Sequence, residues 1–97
     1  DYKGAIEDYS KSIEINPNKY AGFHDRGTLK GLLGDYKGAI KDFSKSIEIN
    51  PNYSRAYYNR GIAKYNLGDK AGACLDWSRA GELGYYAAYD EIEESCD

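Results

Sequence analysis

Apolar residues in the middle of the chain recur every three or four positions, the spacing of one face of an α-helix. In the segment after Asp35 these positions are Ala39, Ile40, Phe43 and Ile47. Asn50 and Pro51 then end the pattern, because a residue before proline avoids the helical region. The pattern therefore predicts a helix over 36–49.

The same signals divide the rest of the chain into helices. In the preceding segment the helical spacing is carried by Phe23, Gly27, Lys30 and Leu33. Gly34 and Asp35 follow as a C-terminal glycine and an N-cap, which predicts a helix over 20–33. Further helices are predicted at 2–15, 54–67, 70–82 and about 86–95.

These helices repeat with a period of 34 residues. Sixteen of the eighteen residues in 1–18 recur in 35–52, the exceptions being Glu7 against Lys41 and Tyr9 against Phe43. A weaker third copy begins at Asp69. A helix pair of this size has too little core of its own, so the period predicts an array of stacked pairs. Because the chain starts in mid-pattern, we expect it to be an excerpt of a longer array.

The repeat resembles the tetratricopeptide repeat (TPR), a helix-turn-helix unit of 34 residues. The matching positions are aromatic Phe23 and Tyr57, glycines Gly27 and Gly61, the pairs Ala5/Tyr9, Ala39/Phe43 and Ala73/Trp77, and prolines Pro17 and Pro51. Two slots depart from the family pattern, where the chain has Arg26 and Arg60, and Lys30 and Lys64. The resemblance implies an all-α fold, an α-solenoid of antiparallel helix pairs with two and a half repeats plus a C-terminal capping helix.

We expect residues 1–97 to form a single TPR domain. Residues 1–18 are expected to be the second helix of an incomplete repeat, 20–52 and 54–84 full repeats, and 85–97 the capping helix. The last helix is rich in acids, and a solenoid needs a terminal element with one polar face. An acidic docking surface for a basic partner is the alternative for this helix.

Charge and composition argue against several functions. The net charge is −3 and basic residues are interleaved with acids, so nucleic acid is not an expected partner. No apolar run approaches the roughly 20 residues that cross a bilayer, so a membrane is not expected either. Cys74 and Cys96 fit neither a disulfide framework nor a zinc site, and we expect both to be free thiols.

The sequence offers no residues for catalysis. His24 and Asp25 are neighbours, but adjacent helical residues point about 100° apart and no nucleophile matches them. We interpret this pair as incidental surface polarity, and Cys74 as a small packing residue. No phosphate-binding loop, metal-ligand spacing or paired carboxylates occur. We therefore expect no enzyme activity, no cofactor and no metal.

Binding has better support, because the resemblance implies that first helices line a concave face that receives an extended peptide or a partner's helix. The candidate partner-binding residues are His24, Thr28, Arg55, Tyr58, Asn59, Ile62 and Tyr65. One interpretation is a peptide groove with aromatic shelves and an Asn59 amide that binds peptide backbone. The other is that Ile62 and Tyr65 pack on the next helix pair while the rest is solvated. A clamp for the carboxylate of chaperone tails is disfavoured, because only Asn59 matches and Asp25 would repel it.

The sequence thus predicts a non-catalytic protein–protein interaction scaffold with a protein or peptide partner. The alternative is a structural or regulatory part of a larger enzyme or secretion assembly, packed through its N-terminal edge. Helix 2–15 lacks a partner helix over its face with Ala5, Tyr9 and Ser12. We expect this uncovered face to favour self-association through helix 2–15.

Overall fold

The computed structural model describes all 97 residues as six α-helices without strands. The helices are α1 (Tyr2–Ile15), α2 (Tyr20–Leu32), α3 (Tyr36–Ile49), α4 (Ser54–Asn66), α5 (Lys70–Glu82) and α6 (Ala87–Ser95). Each predicted helix is confirmed, with ends that agree within one residue. None of the six is long and apolar enough to span a membrane.

Aspartates begin three of the helices and glycines end three of them. Asp35 Oδ1 accepts a hydrogen bond from the Gly38 amide at 3.0 Å, and Asp69 Oδ1 accepts one from Gly72 at 2.9 Å. Gly34 has a φ of 85°, a left-handed conformation that glycine adopts without steric cost. Short turns of this kind return the chain at once, so successive helices pack side by side.

Each helix packs on its neighbours in the chain, which produces an elongated array of 41 × 25 × 17 Å. Two buried clusters hold it together. The first contains Ala39, Phe43 and Ala63. The second contains Ala73, Trp77, Ala80 and Ala88, and therefore joins α5 to α6. The architecture is the all-α repeat array that the sequence predicted.

Close helix contact explains the glycines inside α2 and α4. A Cβ built on Gly27 would lie 2.9 Å from Phe43 Cε1, and one on Gly61 would lie 2.6 Å from Trp77 Nε1. Both distances are below van der Waals contact, so any larger residue would push the paired helices apart. The aromatic rings of α3 and α5 occupy the space that these glycines leave.

The prediction of free thiols is wrong, because Cys74 and Cys96 form a disulfide. Their Cα atoms are 6.0 Å apart although the residues are separated by 22 positions. The sequence could not show this, because it depends on α6 folding back along α5. The bond ties the C-terminal end of α6 to the middle of the array.

Candidate functional site

A groove between α2 and α4 contains a cavity of about 270 Å³. Leu32, Phe43 and Ile62 are among the residues of its apolar wall. Thr28, Asn59 and Asn66 supply its polar edge. A concave, mostly apolar site with a few polar groups is typical of ligand-binding surfaces.

His24 lies beneath this groove and is only 3% exposed. We expected surface polarity at this position, and that expectation is wrong. The residue is buried because α4 and the turn before it cover the imidazole. The ring centroid of Tyr53 lies 5.0 Å from that of His24, and the ring centroid of Phe43 lies 5.6 Å away.

The hydrogen bonds of His24 define its protonation state. Its Nδ1 lies 3.1 Å from Asp25 Oδ1, and because a carboxylate only accepts, Nδ1 carries the proton. Burial lowers the pKa of His24, against the opposing effect of Asp25, so the imidazole is neutral at pH 7. Its Nε2 therefore accepts, and the side-chain amide of Asn59 donates to it over 2.9 Å.

This arrangement orients Asn59 in the groove. With its Nδ2 committed to His24, the amide keeps Oδ1 without a protein partner. Thr28 Oγ1 donates to the His24 carbonyl oxygen at 3.0 Å, so its hydroxyl oxygen can still accept. The groove edge therefore presents acceptors, which suit the backbone N–H groups of an extended peptide.

Tyr58 is fastened to α6 instead of forming an open shelf. Its hydroxyl donates to Glu91 Oε1 at 2.9 Å, and its ring centroid lies 4.7 Å from that of Tyr85. Burial, aided by the hydrogen bond to Glu91, raises the pKa of Tyr58 to about 12. Tyr58 thus stabilises the position of α6.

The seven candidate residues occupy different places. Thr28, Asn59 and Ile62 line the cavity. Ile62 also packs on the Trp77 cluster, and Tyr65 is 45% exposed with its ring centroid 5.7 Å from that of Trp77. Arg55 is exposed and lies close enough to His24 for its charge to lower the pKa of the imidazole. His24 supports the groove from below, and Arg55, Tyr58 and Tyr65 lie outside the cavity.

Sequence reasoning missed the role of the charged residues that depart from the repeat pattern. Arg26 makes two hydrogen bonds of 2.8 Å with the carboxylate of Asp42, and Lys30 Nζ lies 3.2 Å from the same group. Asp42 is 3% exposed. The hydrogen bond to Asp42 raises the pKa of Arg26, so the guanidinium is permanently charged.

The second full helix pair contains the same ion-pair cluster. Arg60 binds Asp76 with two hydrogen bonds of 2.8 Å, and Lys64 Nζ lies 3.1 Å from Asp76. The signal in the sequence was an arginine 16 residues before an aspartate, twice, at the repeat offset. Both clusters join the helices of a pair, so these charges are not free to bind a ligand. No group of three metal-ligating side chains is close enough to hold a metal ion.

Known proteins share this fold along almost the whole chain. The first TPR of Spaghetti (RPAP3) bound to the HSP90 peptide SRMEEVD is 26% identical, with a TM-score of 0.92 over 96% of this chain and 75% of that one. The TPR2B domain of yeast Sti1 in a pHsp70 complex is 25% identical, with a TM-score of 0.86 over 98% and 79%. MamA shares the fold at 21% identity and a TM-score of 0.90, and the chain spans 52% of its length.

Sequence comparison agrees with these structural similarities. No curated protein sequence matches the chain significantly. The family profile described as TPR repeat matches residues 32–68, which include all of α3 and α4. Together with the helix pairs and their period, this match leads to one conclusion. The chain is a tetratricopeptide repeat protein.

Proposed function

We propose that the chain is a protein-interaction scaffold that binds an extended peptide segment of a partner protein in the groove between α2 and α4. The cavity of about 270 Å³ in that groove carries the proposal. Two structural neighbours in complex with peptides, one with an HSP90 peptide and one with pHsp70, support a peptide as the ligand. The TPR fold is generally a non-catalytic interaction module, which agrees with a scaffold.

The chemistry of the groove indicates what kind of peptide it would take. An apolar side chain fits beside Ile62, and Asn59 Oδ1 accepts from the peptide backbone. Asp25, 45% exposed and next to His24, would repel a carboxylate. We therefore propose an internal segment without a negative charge at the cavity, instead of the acidic C-terminus of a chaperone.

Gly31 offers a way to fill the groove without disturbing the fold. It lines the cavity, and a Cβ built there would lie 3.9 Å from Ala39 Cβ, an ordinary contact. The position one repeat later holds Tyr65, so the backbone already accommodates tyrosine there. Gly31→Tyr should therefore keep the fold and occupy the site. Ala71→Tyr is the matched control, because Ala71 is exposed on α5 away from the groove.

The experiment selects ligands from a displayed library of 12-residue peptides and measures binding of the selected synthetic peptides by fluorescence anisotropy. We expect Gly31→Tyr to weaken binding by about tenfold or more, equivalent to about 1.4 kcal/mol, and Ala71→Tyr to leave it unchanged. Equal affinity for both variants would place the peptide elsewhere and overturn the groove.

A second candidate function rests on α1, which has no buried residue. Such an open face supports a structural or regulatory part of a larger enzyme or secretion assembly, packed through the N-terminal edge. Self-association through helix 2–15 is the simplest form of this idea. Sedimentation over a concentration series tests it, and a monomer at every concentration would contradict self-association.

A further inference from the structure

The open face of α1 has a covered counterpart in the same molecule. On α3, the residues that face α2 are Ala39, Asp42, Phe43 and Ser46, with exposures of 0, 3, 3 and 0%. The equivalent residues of α1 are Ala5, Asp8, Tyr9 and Ser12, and none of them is buried. Three of these four are identical between the helices. The occupied face of α3 therefore shows what would fit on α1.

The helices that cover such faces share one chemical signature. In α2 and α4 an arginine is followed directly by glycine and, four positions after the arginine, by lysine. The arginine and lysine bind the aspartate of the covered helix, Asp42 or Asp76. The glycine lets the two backbones approach. An aromatic residue three positions before the arginine contacts the guanidinium with its ring face, at 5.7 Å in α2 and 5.6 Å in α4.

Asp8 is the counterpart of these two aspartates, and it has no partner. Its carboxylate makes no ion pair or hydrogen bond and is exposed. The surroundings of α1 are otherwise those of α3. Ser10 Oγ accepts from Arg26 Nη1 at 3.1 Å, as Ser44 Oγ accepts from Arg60 Nη1 at 3.1 Å. The α1 face thus sits in the position of an occupied face before its helix arrives.

We propose that this face of α1 is a docking site for a basic amphipathic helix of a partner protein that carries Arg-Gly-x-x-Lys. The arginine and lysine of that helix would bind Asp8, and its glycine would lie against Ala5 and Tyr9. Ser12 would donate to a carbonyl oxygen at the start of the partner helix, as Ser46 Oγ donates to the Tyr20 carbonyl oxygen at 2.9 Å. This site is separate from the groove between α2 and α4.

A second copy of the chain is a poor occupant of the site. Its two helices with the required signature, α2 and α4, are already paired with α3 and α5. The remaining helix, α6, exposes Asp90, Glu93 and Glu94. These acids would face the carboxylate of Asp8 and repel it. The charges therefore favour a different protein that supplies a basic helix.

The test uses a defined probe, a peptide with the sequence of residues 53–68, which includes Arg60, Gly61 and Lys64. A lactam staple on its solvent-facing side lowers the entropy of helix formation, because free peptides of this length are marginal helices. Its affinity for the full chain is measured by fluorescence anisotropy. Asp8→Asn removes the charge of the site. Glu7→Gln is the matched control, since position 7 is exposed, as are Lys41 and Leu75 in the other copies.

We expect Asp8→Asn to weaken the peptide by about tenfold or more and Glu7→Gln to change its affinity by less than about twofold. A peptide with Arg60→Glu should fail on the wild-type chain and bind again to Asp8→Arg. Absence of binding, or equal effects of the Asp8 and Glu7 variants, would overturn the proposal. Sedimentation that shows a dimer lost in Asp8→Asn would also overturn it, because the occupant would then be a second copy.

Discussion

Helices α1 and α3 have almost the same sequence and very different surroundings. They differ only at Glu7 against Lys41 and Tyr9 against Phe43. Yet α3 has four buried residues and α1 has none. Burial in this array therefore depends on which helices cover a segment, and only weakly on the residues of the segment itself. This is the behaviour expected of a repeat protein, in which each unit is stabilised by its neighbours.

The comparison is clearest for the aspartates, since Asp8 and Asp42 occupy the same position of the repeat. In α3 the carboxylate is desolvated and compensated by a guanidinium and an ammonium group. In α1 it is solvated and contributes no contact. One residue type thus has a structural role in one copy and, under our proposal, a recognition role in the other.

The largest expected effect comes from removing these charges one at a time. Asp42→Asn leaves Arg26 and Lys30 without their counter-charge, and breaking a buried pair in this way costs roughly 3 kcal/mol or more. Asp8→Asn changes an exposed residue and should alter the free energy of unfolding by less than about 0.5 kcal/mol. Urea unfolding followed by circular dichroism measures both. Asp76→Asn should repeat the result of Asp42→Asn, and an equally large loss in Asp8→Asn would refute the comparison.

The second prediction concerns the other end of the array, where a disulfide holds α6 against α5. Cross-linking Cys74 to Cys96 restricts the unfolded chain, and a loop of this length contributes about 3 kcal/mol. The variant with Cys74→Ser and Cys96→Ser should therefore lose about that much stability. Hydrogen exchange should locate the loss in α6, whose amides become less protected. The C-terminal end would then resemble the uncovered N-terminal one.

Reduction provides the control for the disulfide. A thiol reductant should lower the urea midpoint of the wild-type chain and leave that of the double serine variant unchanged. If the reductant has no effect on the wild type, the bond is absent in solution. Structural disulfides persist in oxidising compartments, so the redox state also bears on where the protein can keep α6 fastened.

The sequence predicted the helices and the array because both follow from local signals that occur more than once. Asp35 and Gly34 define a helix boundary wherever they stand, and the offset of 34 residues repeats that boundary. The pairing of Arg26 with Asp42 was also encoded at that offset. It was missed because the family pattern has an apolar residue where this chain has arginine.

The contacts that depend on one unique arrangement could not be predicted. Cys74 and Cys96 meet only because α6 returns along α5. His24 is buried, although its counterpart in the next copy is the half-buried Tyr58. Its burial follows from Tyr53 and Asn59 on the neighbouring turn and helix. The seven candidate residues were chosen by their face of the helix, which cannot distinguish a residue on the cavity wall from one beneath it.

The smallest expected effect tests His24, which connects α2 to α4. Burial lowers the pKa of this imidazole below its ordinary value of 6.5, while Asp25 opposes the shift and Arg55 adds to it. The unfolded chain therefore binds a proton more readily than the folded one as the pH falls below about 6.5, and stability falls with it. Protonation would also put a hydrogen on Nε2, where Asn59 now donates. The link between α2 and α4 should weaken first, which leaves α2 held by α1 and α3.

Urea midpoints of the wild type at pH 7.5 and at about pH 5.5 measure this effect, because carboxylates remain ionised across that range. We expect a lower midpoint at the acidic pH. His24→Gln removes the titrating group and should flatten the dependence. Tyr53 is protonated throughout this range, because burial raises its pKa further, so it adds no charge of its own. A midpoint that falls equally in the wild type and in His24→Gln would assign the pH dependence to other groups and leave His24 with a purely steric role under the groove.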